Sequence, residues 1–267
     1  MSQITIGAAS DPGRKRKENQ DSHAFFCPPE GTAHKKGILL ALADGMGGHA
    51  GGSIASKLAI DTLIQTYYDD TGAGIPESLE KSVQAANQKV LEKSRSDPDV
   101  QGLGSTLTAV VFQGSDMYHA HVGDSRGYSI FANQITQFTE DHSYVASLVK
   151  AGVISAEEAL THPEGNIITR AIGVQEDLKV DTSPTPARIH KDQFVLLCCD
   201  GLYKEVPDQE ILATVYEFRD PDAISKKLIE KANENGGNDN ITVVIARIDT
   251  VEGAPTWLNR FLRLLRK

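Results

Sequence analysis

Cysteine is scarce in this chain. Three residues cannot build a disulfide framework, since Cys198 and Cys199 are adjacent inside an apolar run and Cys27 stands alone. The adjacent pair reads as core. No stretch approaches the roughly 18 consecutive apolar residues of a membrane-spanning helix. The start, MSQITIGAAS, has neither the basic stretch nor the apolar core of a secretory signal, so a cytoplasmic protein is expected. Positive charge is also in deficit. The formal charge is −9, and the last eleven residues hold four basic groups and no acidic one, which leaves −13 on residues 1 to 256. A body of that sign repels nucleic acid, and no basic stripe with interleaved aromatics offsets it. Three local signatures are missing too. There is no D-x-[DN]-x-[DN]-G calcium loop and no G-x-x-x-x-G-K-[ST] nucleotide loop. No cysteine is followed six positions on by arginine, so a cysteine phosphatase has no candidate nucleophile.

What is present is a globular composition, 40% apolar and 24% charged over 267 residues, enough for one domain with a full core. Its most informative feature is four aspartates placed where an apolar run meets a turn: Asp44 in ILLALADGMGG, Asp124 in YHAHVGDSR, Asp200 in FVLLCCDG and Asp239 in GGNDNITVV. Each taken singly reads as a turn former or cap. Together they deliver hard oxygen ligands to the ends of strands. Unpaired buried carboxylates lose several kcal/mol of hydration, so a cation is the simplest partner. Carboxylates, carbonyls and water suit magnesium, manganese or calcium, and the missing calcium loop favours manganese or magnesium.

Apolar runs predict strands over 4–9, 38–43, 106–112, 118–122, 194–199 and 241–248. Helical periodicity covers 50–68 and 76–94, and Pro207 and Pro221 each read as a first-turn proline of a further helix. That order is not the regular alternation of a doubly wound parallel sheet. It predicts an α+β fold, an antiparallel sheet system with helices packed outside. The stretch from about Thr139 to Gly173 is polar and broken, with Ser155 and Glu158 in capping-box spacing, and reads as a small lid.

Eight segments in fixed order carry a resemblance: GRKRKENQD (13–21), DGMGGHAGG (44–52), GSTLTAVV (104–111), HVGDSRGY (121–128), FTEDHS (138–143), NIITRAIG (166–173), LLCCDGLY (196–203) and GGNDNITVV (236–244). The chain resembles the metal-dependent serine/threonine protein phosphatases of type 2C, in their compact bacterial form. The resemblance implies a central antiparallel β-sandwich flanked by helices on both sides, with a small helical flap. It divides the chain into a catalytic domain over 1–249, with the flap at about 139–173, and a linker with a basic amphipathic helix over 250–267. It further implies hydrolysis of phosphoserine and phosphothreonine in proteins by metal-activated water, without a covalent intermediate, by a monomer opposing a protein kinase. Two or three divalent cations are implied, manganese or magnesium. Asp44 resembles the bridging ligand, with the Gly45 carbonyl on one metal and Asp200 and Asp239 on the other. Asp124 resembles the ligand of a third, weaker metal, Asp21 the residue that orients metal-bound water, and Arg16 the phosphate-holding arginine.

The residue chemistry agrees. A metal pair lowers the pKa of a bridging water and neutralises phosphoryl oxygens, and a guanidinium matches phosphate with a planar fork. Arg16 lies in a basic run, Arg14 to Lys17, which by itself reads as a solvated loop. Two positions depart from the pattern. Met46 stands where many eukaryotic relatives have a histidine general acid, and His49 is assigned that role here. Gln20 replaces a glutamate of some relatives. His119 and His121 share one strand face and read as packing or supporting residues rather than zinc ligands. In the tail, Trp257, Leu258, Phe261, Leu262, Leu264 and Leu265 fall on one helical arc, and Arg260, Arg263, Arg266 and Lys267 on the other. Such a helix could lie on an anionic membrane, in a partner's groove or on its own domain. Two other functions share the residue pattern: a non-catalytic binder of phosphoproteins, and a hydrolase of small phosphate metabolites.

Overall fold

The computed structural model describes residues 2–29, 36–48 and 51–252. Two antiparallel sheets stack face to face. The first has five strands in the order β1 (Gln3–Asp11), β12 (Ile241–Thr250), β11 (Phe194–Cys198), β7 (Arg126–Phe131) and β8 (Gln134–Gln137). The second runs β10 (Ala187–Arg188), β6 (Asp116–Val122), β5 (Leu107–Gln113), β3 (Ile38–Met46) and β2 (Asp21–Phe26), with β4 (Gly104–Ser105) beside β3 and β9 (Asp181–Thr182) beside β6.

Two-residue alternation sorts each strand between two cores. On β3, Leu40 and Leu42 join Val195, Leu197, Val244 and Ala246 in the layer between the sheets. Leu39, Ala41 and Ala43 face the other way, onto α1 (Gly51–Asp69) and α2 (Ile75–Ser96), through Ala55, Ala59, Leu63, Leu79 and Val83. The five-stranded sheet is covered in the same manner. Tyr128, Phe194, Leu196, Val243 and Ile245 meet Leu202, Ile211, Val215, Ile224 and Leu228. These belong to α5 (Asp200–Tyr203), α6 (Asp208–Phe218) and α7 (Pro221–Glu234). Because both faces are buried, the central strands are almost continuously apolar, and the αββα sandwich anticipated from the sequence is the observed architecture.

Pro221 opens α7 at its first turn, with the Asp220 side chain capping the Ala223 N–H at 3.0 Å. Pro207 stands one position earlier than expected, as the N-cap of α6. Between β8 and β9 lie two short helices, α3 (Tyr144–Lys150) and α4 (Ala156–Leu160). The Ser155–Glu158 capping box at the start of α4 is formed on both sides. Six strands lay outside the sequence expectation: β2, β7 and β8, and the two-residue β4, β9 and β10. Among the described residues, no helix is long and apolar enough to cross a membrane.

Candidate active site

Asp21 and Asp44 are brought together by strand register, as direct partners where β2 pairs with β3. Asp44 is held by its backbone. Its N–H donates to Thr106 Oγ1 at 2.8 Å, and its carbonyl accepts from the Thr106 N–H at 2.8 Å and Ser105 Oγ at 2.9 Å. Thr106 Oγ1 also lies 2.7 Å from Ser125 Oγ, which ties the Asp44 strand to the turn bearing Asp124. That turn needs Gly123, whose φ is +113° and where a Cβ would stand 2.5 Å from the Thr106 side chain. Gly45 is as constrained, because a Cβ there would meet the Gly52 carbonyl oxygen at 2.1 Å.

Asp200 opens α5 directly after β11, and Asp239 precedes β12. Lys204, one helical turn on, donates from Nζ to Asp200 Oδ2 at 2.7 Å and to Asn166 Oδ1 at 2.7 Å. Arg16 donates from Nη2 to Asp239 Oδ2 at 2.7 Å, and the Asn240 N–H donates to Asp239 Oδ1 at 2.8 Å. The hydrogen bond and charge of Asp239 raise the Arg16 pKa further. The loop bearing Arg16 is anchored by Asn240, whose Nδ2 donates to the carbonyls of Pro12 (3.0 Å) and Glu18 (2.9 Å) and whose Oδ1 accepts from the Gln20 N–H (2.7 Å).

The electrostatics of this end of the sandwich are unfavourable for the carboxylates alone. Burial, and then Asp21, Asp200, Asp124 and Asp239, push the Asp44 carboxyl well above its ordinary range. Burial is also the main cause for Asp21, raised to about 7 against the bond it accepts from Thr242 Oγ1 at 2.6 Å. Asp124, 3% exposed, is raised to about 7 by burial and then by Asp200. At this end of the sandwich two oxygens, Asp21 Oδ1 and Asp200 Oδ1, are buried with no hydrogen-bond partner among the described residues. Each such acceptor costs about 1–3 kcal/mol.

Divalent cations fit this donor set. Asp21, Asp44 and Cys199 bring one ligand atom each within 4.8 Å of one another. The thiol is the least suitable of the three, because Cys199 Sγ donates to the Asn240 carbonyl at 3.2 Å and accepts from the Thr242 N–H at 3.1 Å. Burial also pushes its pKa well up, which keeps it protonated. The available donors are therefore carboxylate oxygens, the hard set that suits manganese or magnesium.

The structure thus gathers Arg16, Asp21, Asp44, Gly45, Asp124, Asp200 and Asp239 at one end of the sandwich. His49 lies outside the described residues, as does the tail from 253 onward. His121, 1% exposed, sits between Thr108 Oγ1 (2.9 Å) and the Glu140 carbonyl (3.1 Å), a packed position that belongs to no metal-ligating cluster among the described residues. Sequence reasoning missed Lys204 and Asn240. Their only trace was helical spacing from Asp200 and the second asparagine of NDN.

The chain matches the family model "Protein phosphatase 2C" over residues 8–241. It is 36% identical over 247 residues to the serine/threonine phosphatase stp of Listeria monocytogenes, covering 91% of this chain and 95% of that one. It is 37% identical over 252 residues to the serine/threonine protein phosphatase PstP of Mycobacterium tuberculosis, covering 93% of this chain but only 46% of that longer protein. A crystal structure of the PstP catalytic domain in complex with two manganese ions superposes with a TM-score of 0.78 at 36% identity, covering 92% of this chain and 98% of that one. Family match, sequence identity and structural superposition agree, and the chain belongs to the protein phosphatase 2C family.

Proposed function

We propose that the protein hydrolyses phosphoserine and phosphothreonine residues of other proteins, by direct attack of water on phosphorus and without a phosphoenzyme. The observation that carries this reading is the convergence of five aspartates with Arg16 at one end of the sandwich, in a chain of this family. Two or three divalent cations, manganese or magnesium, held by Asp44, the Gly45 carbonyl, Asp200, Asp239 and Asp124, supply a water of lowered pKa and screen the phosphoryl oxygens. Arg16 spends one N–H on Asp239 and keeps the rest of its planar fork for phosphate. Asp21, anchored through Oδ2 by Thr242, offers its second oxygen to orient water. His49 is the proposed proton donor to the leaving alkoxide.

Residues 1–249 form the proposed catalytic domain, with 139–173 as its flap, acting in the cytoplasm as a monomer opposite a serine/threonine kinase. The basic amphipathic segment 256–267 is the proposed contact to an anionic membrane or a partner. Truncation after Gly253 followed by liposome sedimentation tests this, and equal pelleting of both forms removes the membrane.

The deciding assay is phosphate release from a phosphothreonine peptide with manganese, then with chelator, beside Asp200→Asn and Asp239→Asn. Turnover should need the metal and fall by about 100-fold or more in either variant, since even residues that only support metal ligands cost 10- to 100-fold. Near-normal turnover of either variant in saturating manganese would overturn the assignment. Nucleotides and sugar phosphates serve as comparators, and a preference for them would replace the protein substrate.

A further inference from the structure

A cavity of about 730 Å³ opens between α3, α4 and the edge of the five-stranded sheet, and it shares Asp124 and Lys204 with the carboxylate site. Its size falls within the roughly 300–1,000 Å³ of pockets that hold compact ligands. The chemistry of its walls narrows what it can take. Arg126 is committed to Asp141, with Nη2 to Oδ2 at 2.7 Å and Nε to both oxygens at 3.0 and 3.1 Å, and its guanidinium lies 3.6 Å over the Tyr203 ring. Lys150 is paired with Glu140 at 2.6 Å, and Lys204 with Asp200 at 2.7 Å. With these charges already paired, and with Gln137, Thr139, Ser143 and Asn166 engaged in hydrogen bonds of their own, the apolar part of the wall is Val145, Ala146, Val149, Ala156 and Ala159, beside the polar Thr161 and His162. The same segment also exposes Tyr144 (37%), Val153 (66%) and Ile167 (47%) to solvent.

We infer that this cavity is a specificity subsite, which takes an uncharged apolar side chain of the phosphoprotein close in sequence to the phosphorylated residue. The inference rests on the proposed phosphatase reading. Continuity with the carboxylate site decides the occupant. A substrate whose phosphate lies among Asp44, Asp124 and Asp200 runs on in either direction at about 3.3 Å per residue, so a near neighbour reaches across Asp124 and Lys204 into the cavity. A substrate as small as para-nitrophenyl phosphate has nothing to place there.

The test compares phosphothreonine peptides carrying Leu or Gly at each flanking position, with para-nitrophenyl phosphate as control, in manganese. Filling an apolar pocket is worth roughly 10- to 200-fold in discrimination, so the parent protein should favour Leu at one flanking position by about 10-fold or more in kcat/KM. Val149→Asp and Ala159→Trp should reduce that preference to about twofold by raising KM for the Leu peptide, with kcat and the para-nitrophenyl phosphate rate within about twofold of the parent. Indifference of the parent to its flanks overturns the inference, whether or not a variant folds. So does a parallel loss on peptide and small substrate, which would make the two residues structural. Loss of the Ala159→Trp effect on truncation after Gly253 also overturns it, because the cavity would then hold the chain's own tail. Silence of folded, manganese-loaded protein on every substrate, para-nitrophenyl phosphate included, would overturn the phosphatase reading itself, and the subsite with it.

Discussion

Replacing Asp44 by asparagine should stabilise the metal-free protein. Asp44 and Asp21 carboxylate oxygens approach within 4.8 Å, and Asp200, Asp124 and Asp239 add to the repulsion. At an effective dielectric of about 20, one fully charged pair at that distance repels by roughly 3 kcal/mol. Asp44 is partly open to solvent, so screening brings the net gain from Asp44→Asn to about 2 kcal/mol. For a domain of this size that is roughly 4–8 °C in Tm. The gain must depend on pH in a definite sense. The native Asp44 carboxyl holds its proton more tightly than the unfolded one, so the contribution of this group to the parent's stability is full below about pH 4 and is lost as pH rises toward the raised native pKa. The variant lacks that titration. Its advantage should be near zero at the acid end and grow toward pH 8. Thermal and urea unfolding in chelator across that range would read it directly. Manganese should reverse the ranking, adding about 2.7 kcal/mol to the parent at 100 times its Kd and little to the variant. A variant less stable than the parent in chelator at pH 8, or a gap that ignores pH, would refute the repulsion argument.

Gly45→Ala would set a Cβ 2.1 Å from the Gly52 carbonyl oxygen and 2.5 Å from that of Gln20; a loss of about 3 kcal/mol or more is expected in urea unfolding. Gly48→Ala, with nothing among the described residues within 4 Å of its Cβ, should stay within about 0.5 kcal/mol. Asn240→Ala removes the clamp on the loop bearing Arg16, and should raise KM for a phosphopeptide by about 10-fold while costing about 2 kcal/mol of stability. Burial pushes His121 down to about 3, so it stays neutral in the native state while the unfolded chain takes up a proton below about pH 6.5. In saturating manganese, stability should therefore fall by about 1 kcal/mol per unit as the pH drops from 6 to 5, and His121→Gln should flatten that slope. An unchanged slope would show that His121 is not the titrating group.

The strands that fill the middle of both sheets were legible in the sequence because burial on both faces leaves them almost purely apolar, as in ILLALA and FVLLCC. The two long helices were legible from their apolar periodicity, and the acidic residues from their place at the ends of apolar runs. By contrast β2, β7 and β8 escaped notice. DSHAFF and QITQ are half-exposed edge segments with little apolar contrast, and RGYSIF mixes a buried tyrosine with a partly exposed arginine. Sequence by itself thus determined the layer architecture and the ligand chemistry, since both follow from which residue types water rejects or retains. Tertiary structure decided the rest. Strand register set Asp21 opposite Asp44, chain closure carried Asn240 to the loop of Arg16, and the placement of α3 and α4 across from Arg126 and Gln137 shaped the cavity beside Asp124. These contacts join residues as far as 228 positions apart, and local propensity carries no information about which distant backbone a side chain will meet.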